Sequence, residues 1–267
     1  MTRSAMTERA PWYFVIPGAV AIAFLALPVV ALLAQAPWGD LAALLTSEAA
    51  LVALRLSLVT SIAATLVSLV LGIPLAWLMS RSRAFGSAWV RALVTLPLVL
   101  PPVVGGVALL LAFGRRGLAG QVLYDVLGIQ IPFTTAAVVI AEAFVAMPFL
   151  IITVEGALRS SNRRLEQAAA TLGADRWTVF RRITLPLVLP SIAAGAVLCW
   201  ARALGEFGAT LTFAGSFPGV TRTMPLAVYA ALDVDRSEAI ALSVVLLLVS
   251  VAILVSLRGQ FLQGLRR

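Results

Sequence analysis

Ionisable side chains in the long apolar stretches of this chain are few, and three stand out: Glu142, Arg202 and Glu206. Arg202 and Glu206 are four residues apart, a spacing that places both on one face of a helix and lets their charges meet. Ionised groups at such positions are costly and usually face a bundle interior or an aqueous pathway. Two readings of the pair stay open. It lines or gates a pathway at an interface between subunits, or it is a structural pair that holds its helix to its neighbours without touching solute. A permanent cation lining a path would trap any anion that used it, which favours the structural reading. Glu142 has no partner that the sequence reveals. The inventory for catalysis is otherwise thin, because histidine is absent, all 20 basic residues are arginine and Cys199 is the single cysteine. Without lysine there is neither a Walker phosphate loop nor Schiff-base chemistry. Without histidine the usual general base and the commonest metal ligand are missing. One cysteine rules out intramolecular disulfides, thiolate zinc sites and iron–sulfur clusters. No catalytic residue, metal site or cofactor is therefore expected.

Membrane helices must position these groups. Of 267 residues, 61% are hydrophobic and 12% charged, with a mean hydropathy of +1.02; soluble domains carry about 25% charged residues. Six apolar stretches run over 12–35, 51–79, 92–113, 133–155, 187–213 and 238–257. At about 1.5 Å per residue each can cross a hydrocarbon core about 30 Å thick, the longer ones with tilt. The expected fold is an all-α polytopic membrane protein with six transmembrane helices. No cleavage site of small residues ends the first run, which reads as a retained helix rather than a removed signal peptide. Prolines are frequent in the spans, and Leu100-Pro101-Pro102-Val103-Val104-Gly105-Gly106 reads as a break in the third. That break serves either function or packing alone.

Sidedness follows from the arginines. Fourteen lie in one alternate set of connections and termini, five in the other, and Arg202 within a span. By the positive-inside rule both termini are cytoplasmic, and the net charge of +8 reflects topology rather than nucleic-acid binding. The longest connection, 156–186, lies on the arginine-rich side. Within it Leu165, Ala168, Ala169 and Leu172 recur at helical spacing, Gly173 suits a helix end, and Asp175 can cap a second short helix. On that second helix Trp177, Phe180 and Ile183 share a face, and Pro186 marks the return to the membrane. Such a helix pair either docks into a partner's groove or rests on anionic lipid.

The spacing of this loop resembles the EAA loop of binding-protein-dependent ABC importer permeases, E-A-A-x-x-x-G-x9-I-x-L-P. The matching residues are Gln167, Ala168, Ala169, Gly173, Ile183, Leu185 and Pro186, with Ala174 following the glycine. Gln167 replaces the family's glutamate, and Glu166 stands one position earlier. The resemblance implies a type I importer transmembrane domain over 50–258, with a coupling loop at 160–186 that sits in a cleft of a separate ATPase. An N-terminal tail, first helix and outer loop (1–49) and a cytoplasmic tail (259–267) flank it. The run Ala201-Arg202-Ala203-Leu204-Gly205-Glu206-Phe207-Gly208-Ala209-Thr210, the later Thr221-Arg222-Thr223-Met224-Pro225 and the Pro101-Pro102 motif are similar to the molybdate permease branch. That likeness implies a homodimer with two ATPase copies, served by an extracytoplasmic molybdate-binding protein and embedded in the cell membrane. Arg202, Glu206, Gly208, Arg222, Pro101 and Pro102 are then candidates for the path or its gate. Tungstate or sulfate are alternative substrates. A lone secondary transporter or channel is the rival class, disfavoured because inverted repeats and paired broken helices are not evident.

Overall fold

Residues 11–264 are described in the structure, a computed structural model. Thirteen helices follow one another along them: α1 (Trp12–Ala34), α2 (Leu41–Leu45), α3 (Glu48–Arg81), α4 (Ala88–Val99), α5 (Pro102–Phe113), α6 (Gly120–Leu127), α7 (Thr135–Ser160), α8 (Arg163–Thr171), α9 (Arg176–Val179), α10 (Leu185–Leu204), α11 (Gly208–Ala214), α12 (Met224–Leu232) and α13 (Arg236–Gly264). Five helices are long and apolar enough to cross a bilayer: α1, α3, α7, the continuous Arg176–Leu204 helix and α13. The pair α4 and α5 is long and apolar enough only when taken together, and it is bent by 118°, the geometry of a broken span or a re-entrant loop.

The bend has a local cause. Pro101 and Pro102 donate no backbone hydrogen bond, and each drives the residue before it out of the helical region. Leu100 and Pro101 accordingly adopt ψ of 129° and 132°. Polar caps set other helix starts, with Ser47 accepting from Ala50 N–H, Thr134 from Ala137 N–H and Asn162 from Arg164 N–H.

Three small-residue seams hold the bundle. Ala64, Ala76, Ala146, Leu150 and Cys199 join α3, α7 and α10. Leu109, Ala141, Val145, Ala209 and Phe213 join α5, α7 and α11. Ala50, Ala53, Met224, Ala239 and Leu242 join α3, α12 and α13. Without a hydrophobic drive between helices in lipid, close packing of small residues carries association. By contrast α1 buries none of its residues.

Two expectations need correction. The fifth span does not run on to 213: α10 ends at Leu204, Gly205-Glu206-Phe207 breaks the chain, and α11 follows as a separate short helix. Nor is the second helix of the loop separate from the membrane. Phe180–Thr184 forms a π-helical turn that joins α9 to α10, with Leu185 N–H donating to the Phe180 carbonyl. Pro186 cannot donate to the carbonyl of Arg182, and the wider turn accommodates its ring without ending the helix. Pro186 therefore lies in the first turn of α10 rather than at a boundary.

Candidate functional site

The loop between α7 and α10 projects apolar side chains that its own bundle does not cover. Leu172 is 87% and Trp177 65% exposed, with Leu165 and Ala168 also open on α8. Trp177 stacks on Phe180 at 5.8 Å between ring centres. Gly173 makes the turn. At φ +86° it donates to the Ala170 carbonyl at 3.1 Å, while Ala174 N–H reaches the Ala169 carbonyl at 3.1 Å. This is the paired Schellman closure of a helix end, which wants glycine at that position. Asp175 caps α9 by accepting from Thr178 N–H at 2.6 Å. Thr178 holds the Asp175 carboxyl below its ordinary range, so the cap is present above that range and is lost only as pH falls through the depressed value.

Positions of the motif divide by exposure. Gln167, Ala168 and Pro186 are exposed, whereas Ala169, Ala174, Ile183 and Leu185 are half-buried. Glu166 turns inward. Its Oε1 accepts from Arg81 Nη2 at 2.5 Å and from the Thr184 hydroxyl at 2.9 Å. Nearby, Glu155 Oε1 takes Arg91 at 2.5 Å and Arg159 at 2.8 Å.

Inside the bundle, Arg202 Nη1 meets Glu206 Oε2 at 2.7 Å. Glu206 lies past the end of α10 rather than on its face, and its other oxygen accepts from Ala209 N–H at 2.9 Å. It thus caps α11 while neutralising Arg202. Arg202 also lines a cavity of about 220 Å³ with Pro97, Leu98, Leu100, Pro102, Val145 and Phe149. Gly208 belongs to the same neighbourhood, since a Cβ there would stand 2.8 Å from Pro102 Cβ. Gly205, by contrast, has no foreign helix against it. Pro101 shapes the bend but is not part of the cavity wall. Arg222 is apart from this group, bonding through Nε to the Ser216 hydroxyl at 3.1 Å and through Nη2 to its carbonyl at 3.2 Å. It lies at the end of the bundle opposite the loop, where Thr135 at the start of α7 donates to the Val220 carbonyl. A cavity of about 660 Å³ opens beside it between α3, α12 and α13.

Sequence reasoning missed the partners of Glu142. Thr60 donates to its Oε1 at 2.9 Å, and the same face of α3 offers Ser57 to Met224 N–H at 2.7 Å and Ser61 to Trp200 Nε1 at 3.0 Å. A signal was present: Ser57, Thr60, Ser61, Thr65 and Ser68 recur at helical spacing in an apolar run.

Known proteins share both the sequence and the shape. Residues 68–267 match the family described as the binding-protein-dependent transport system inner membrane component. Over 251 residues the chain is 51% identical to the molybdenum transport system permease protein ModB of Mycobacterium tuberculosis, covering 94% of each. Over 215 residues it is 44% identical to ModB of Escherichia coli, covering 80% of this chain and 94% of that one. In three dimensions it is similar to a bacterial ABC transporter involved in import of the acidic polysaccharide alginate, with a TM-score of 0.70, 21% identity, and coverage of 93% and 94%. At that identity the likeness speaks for the fold alone.

Proposed function

Because the chain belongs to the binding-protein-dependent transport system inner membrane component family, we propose that it forms the membrane path for molybdate. It is a permease subunit of an ABC importer, a multi-pass protein of the cell membrane and not itself an enzyme. ATP is hydrolysed by a separate subunit, in keeping with the lack of any lysine for a phosphate loop. The substrate reading is carried by one observation, the 51% identity that extends over 94% of both chains.

In this reading the arginine-rich end faces the cytoplasm with both termini, and the exposed face of residues 162–185 enters a groove of the ATPase. The exposed Leu165, Leu172 and Trp177 on a glycine-turned helix pair support that docking. Two nucleotide sites closing between two ATPase subunits call for two loops, hence two copies of this chain. A soluble molybdate-binding protein delivers substrate at the opposite end, and selectivity resides there, because tight binding within the membrane would hinder release. The structural role fits Arg202 and Glu206 best, since both carboxylate oxygens of Glu206 are engaged within the chain.

The test is ATP-dependent uptake into vesicles holding the complete complex, with its binding protein added. Molybdate should accumulate, tungstate should compete, and sulfate should not. Equal sulfate transport would overturn the molybdate assignment and leave the importer assignment standing. A purified complex with a second, different membrane subunit would overturn the homodimer. Arg222→Ala should lower uptake while membrane yield stays near wild type. Parallel loss of both would confine Arg222 to holding the Ser216 turn.

A further inference from the structure

The docking loop is fastened to the bundle at a point remote in sequence. Arg81 is the last residue of α3, and 85 residues separate it from Glu166 on α8. Their side chains are only 18% and 15% exposed, and Thr184 of the π turn shares the same carboxylate oxygen. One carboxylate therefore joins three elements: the end of α3, the docking helix and the turn that feeds α10. Arg81 Nε is buried without a hydrogen-bond partner among the described residues, so the ion pair with Glu166 orients the guanidinium. A pair this shielded resists parting, because separation leaves a poorly solvated charge.

The same turn of α3 is held from a second side. Arg159 Nη2 donates to the Met79 carbonyl at 3.4 Å, and Glu155 binds Arg159 and Arg91, which tethers α7 and α4. Without Glu166 the loop would be attached mainly through its own ends, one of them the π turn, and Gly173 would remain a bend within it. An ATPase moving such a loop would flex it rather than displace the bundle.

We propose that the Arg81–Glu166–Thr184 cluster is a latch that transmits displacement of the docking helix directly to α3. Glu166 is a positioning residue that faces the bundle, not part of the surface offered to the ATPase. The proposal rests on the docking function assigned to this loop. It adds a load path through α3 beside the covalent one through α10.

Glu166→Gln keeps the size of the side chain and an acceptor for Thr184 while removing the charge. The complete complex is reconstituted with its binding protein, and molybdate imported per ATP hydrolysed is measured. Glu166→Gln should assemble with the ATPase at wild-type yield and hydrolyse ATP, yet import about tenfold less molybdate per ATP. The exchanged pair Arg81→Glu with Glu166→Arg should recover most of that loss. A second readout needs no substrate: spin labels at Thr171→Cys on α8 and Trp77→Cys on α3, compared in nucleotide-free and vanadate-trapped complexes. With the latch intact their separation stays constant, and in Glu166→Gln it broadens and shifts. Unchanged import per ATP together with an unchanged separation would overturn the latch. So would loss of ATPase co-purification by Glu166→Gln, which would place Glu166 on the docking surface. Absence of molybdate import by the wild-type complex counts against the substrate assignment instead, and the label separation then decides the latch alone.

Discussion

Replacing Gly173 by valine should leave a protein that inserts in the membrane but no longer retains its ATPase. The glycine holds φ +86° and closes both hydrogen bonds that end α8. A Cβ at this position would meet nothing within 4 Å, so the penalty is conformational rather than steric crowding. Left-handed backbone at a residue other than glycine costs about 1–3 kcal/mol, with β-branched residues at the upper end. Because about 1.4 kcal/mol is a factor of ten in an equilibrium, a turn that must form for docking would weaken association by tens-fold. Asparagine tolerates this region and should be nearly neutral, alanine intermediate and valine most severe. Insertion should not change, since the turn is exposed and lies outside the three packed seams. Co-purification of ATPase with each variant, normalised to membrane yield, gives the ordering. Full retention by Gly173→Val would show that docking does not depend on this turn.

What the sequence could reveal differs from element to element for physical reasons. Span positions follow from apolar runs, and the break in the third follows from Pro101 and Pro102, because proline acts locally and leaves little to tertiary context. Gly173 was legible for the same reason. The end of α10 was not. Ala209 to Ala214 keeps the chain largely apolar past the break, and the Glu206 carboxylate beyond Gly205 caps the next segment instead of continuing α10. Hydrophobicity carries no sign of that. Glu142 with Thr60 and Arg81 with Glu166 are 82 and 85 residues apart, so neither pair has a spacing to read. Gly106 ends the proline-led break in the third span, yet its purpose emerges only in three dimensions, where a Cβ would lie 2.7 Å from the Ala209 carbonyl oxygen. The likeness of the loop places Glu166 among the coupling residues, while its ion pair with Arg81 shows only in three dimensions.

Arg202→Ala should strongly reduce folded protein, and adding Glu206→Gln to it should restore much of the loss. Glu206 is 1% exposed, while Arg202 is 29% exposed through the cavity beside Pro102. Removing the arginine strands a carboxylate that is itself almost wholly buried, and breaking a buried pair by one partner costs about 3–5 kcal/mol. Glutamine at 206 removes the charge but keeps an oxygen able to accept from Ala209 N–H, so α11 stays capped. That cap matters because losing one typically costs about 1 kcal/mol, and α11 is packed against α5 closely enough that Gly106 and Gly208 admit no side chain. Glu206→Ala alone should be milder than Arg202→Ala, since the guanidinium it leaves behind can still reach the cavity, but α11 loses its cap. The folded yield should therefore fall in the order wild type, the double variant, Glu206→Ala, Arg202→Ala. Monodisperse yield after extraction and thermal midpoint measure it. A pair that only gates a pathway would leave all four yields alike and alter uptake instead, and that result would remove Arg202 and Glu206 from the scaffold.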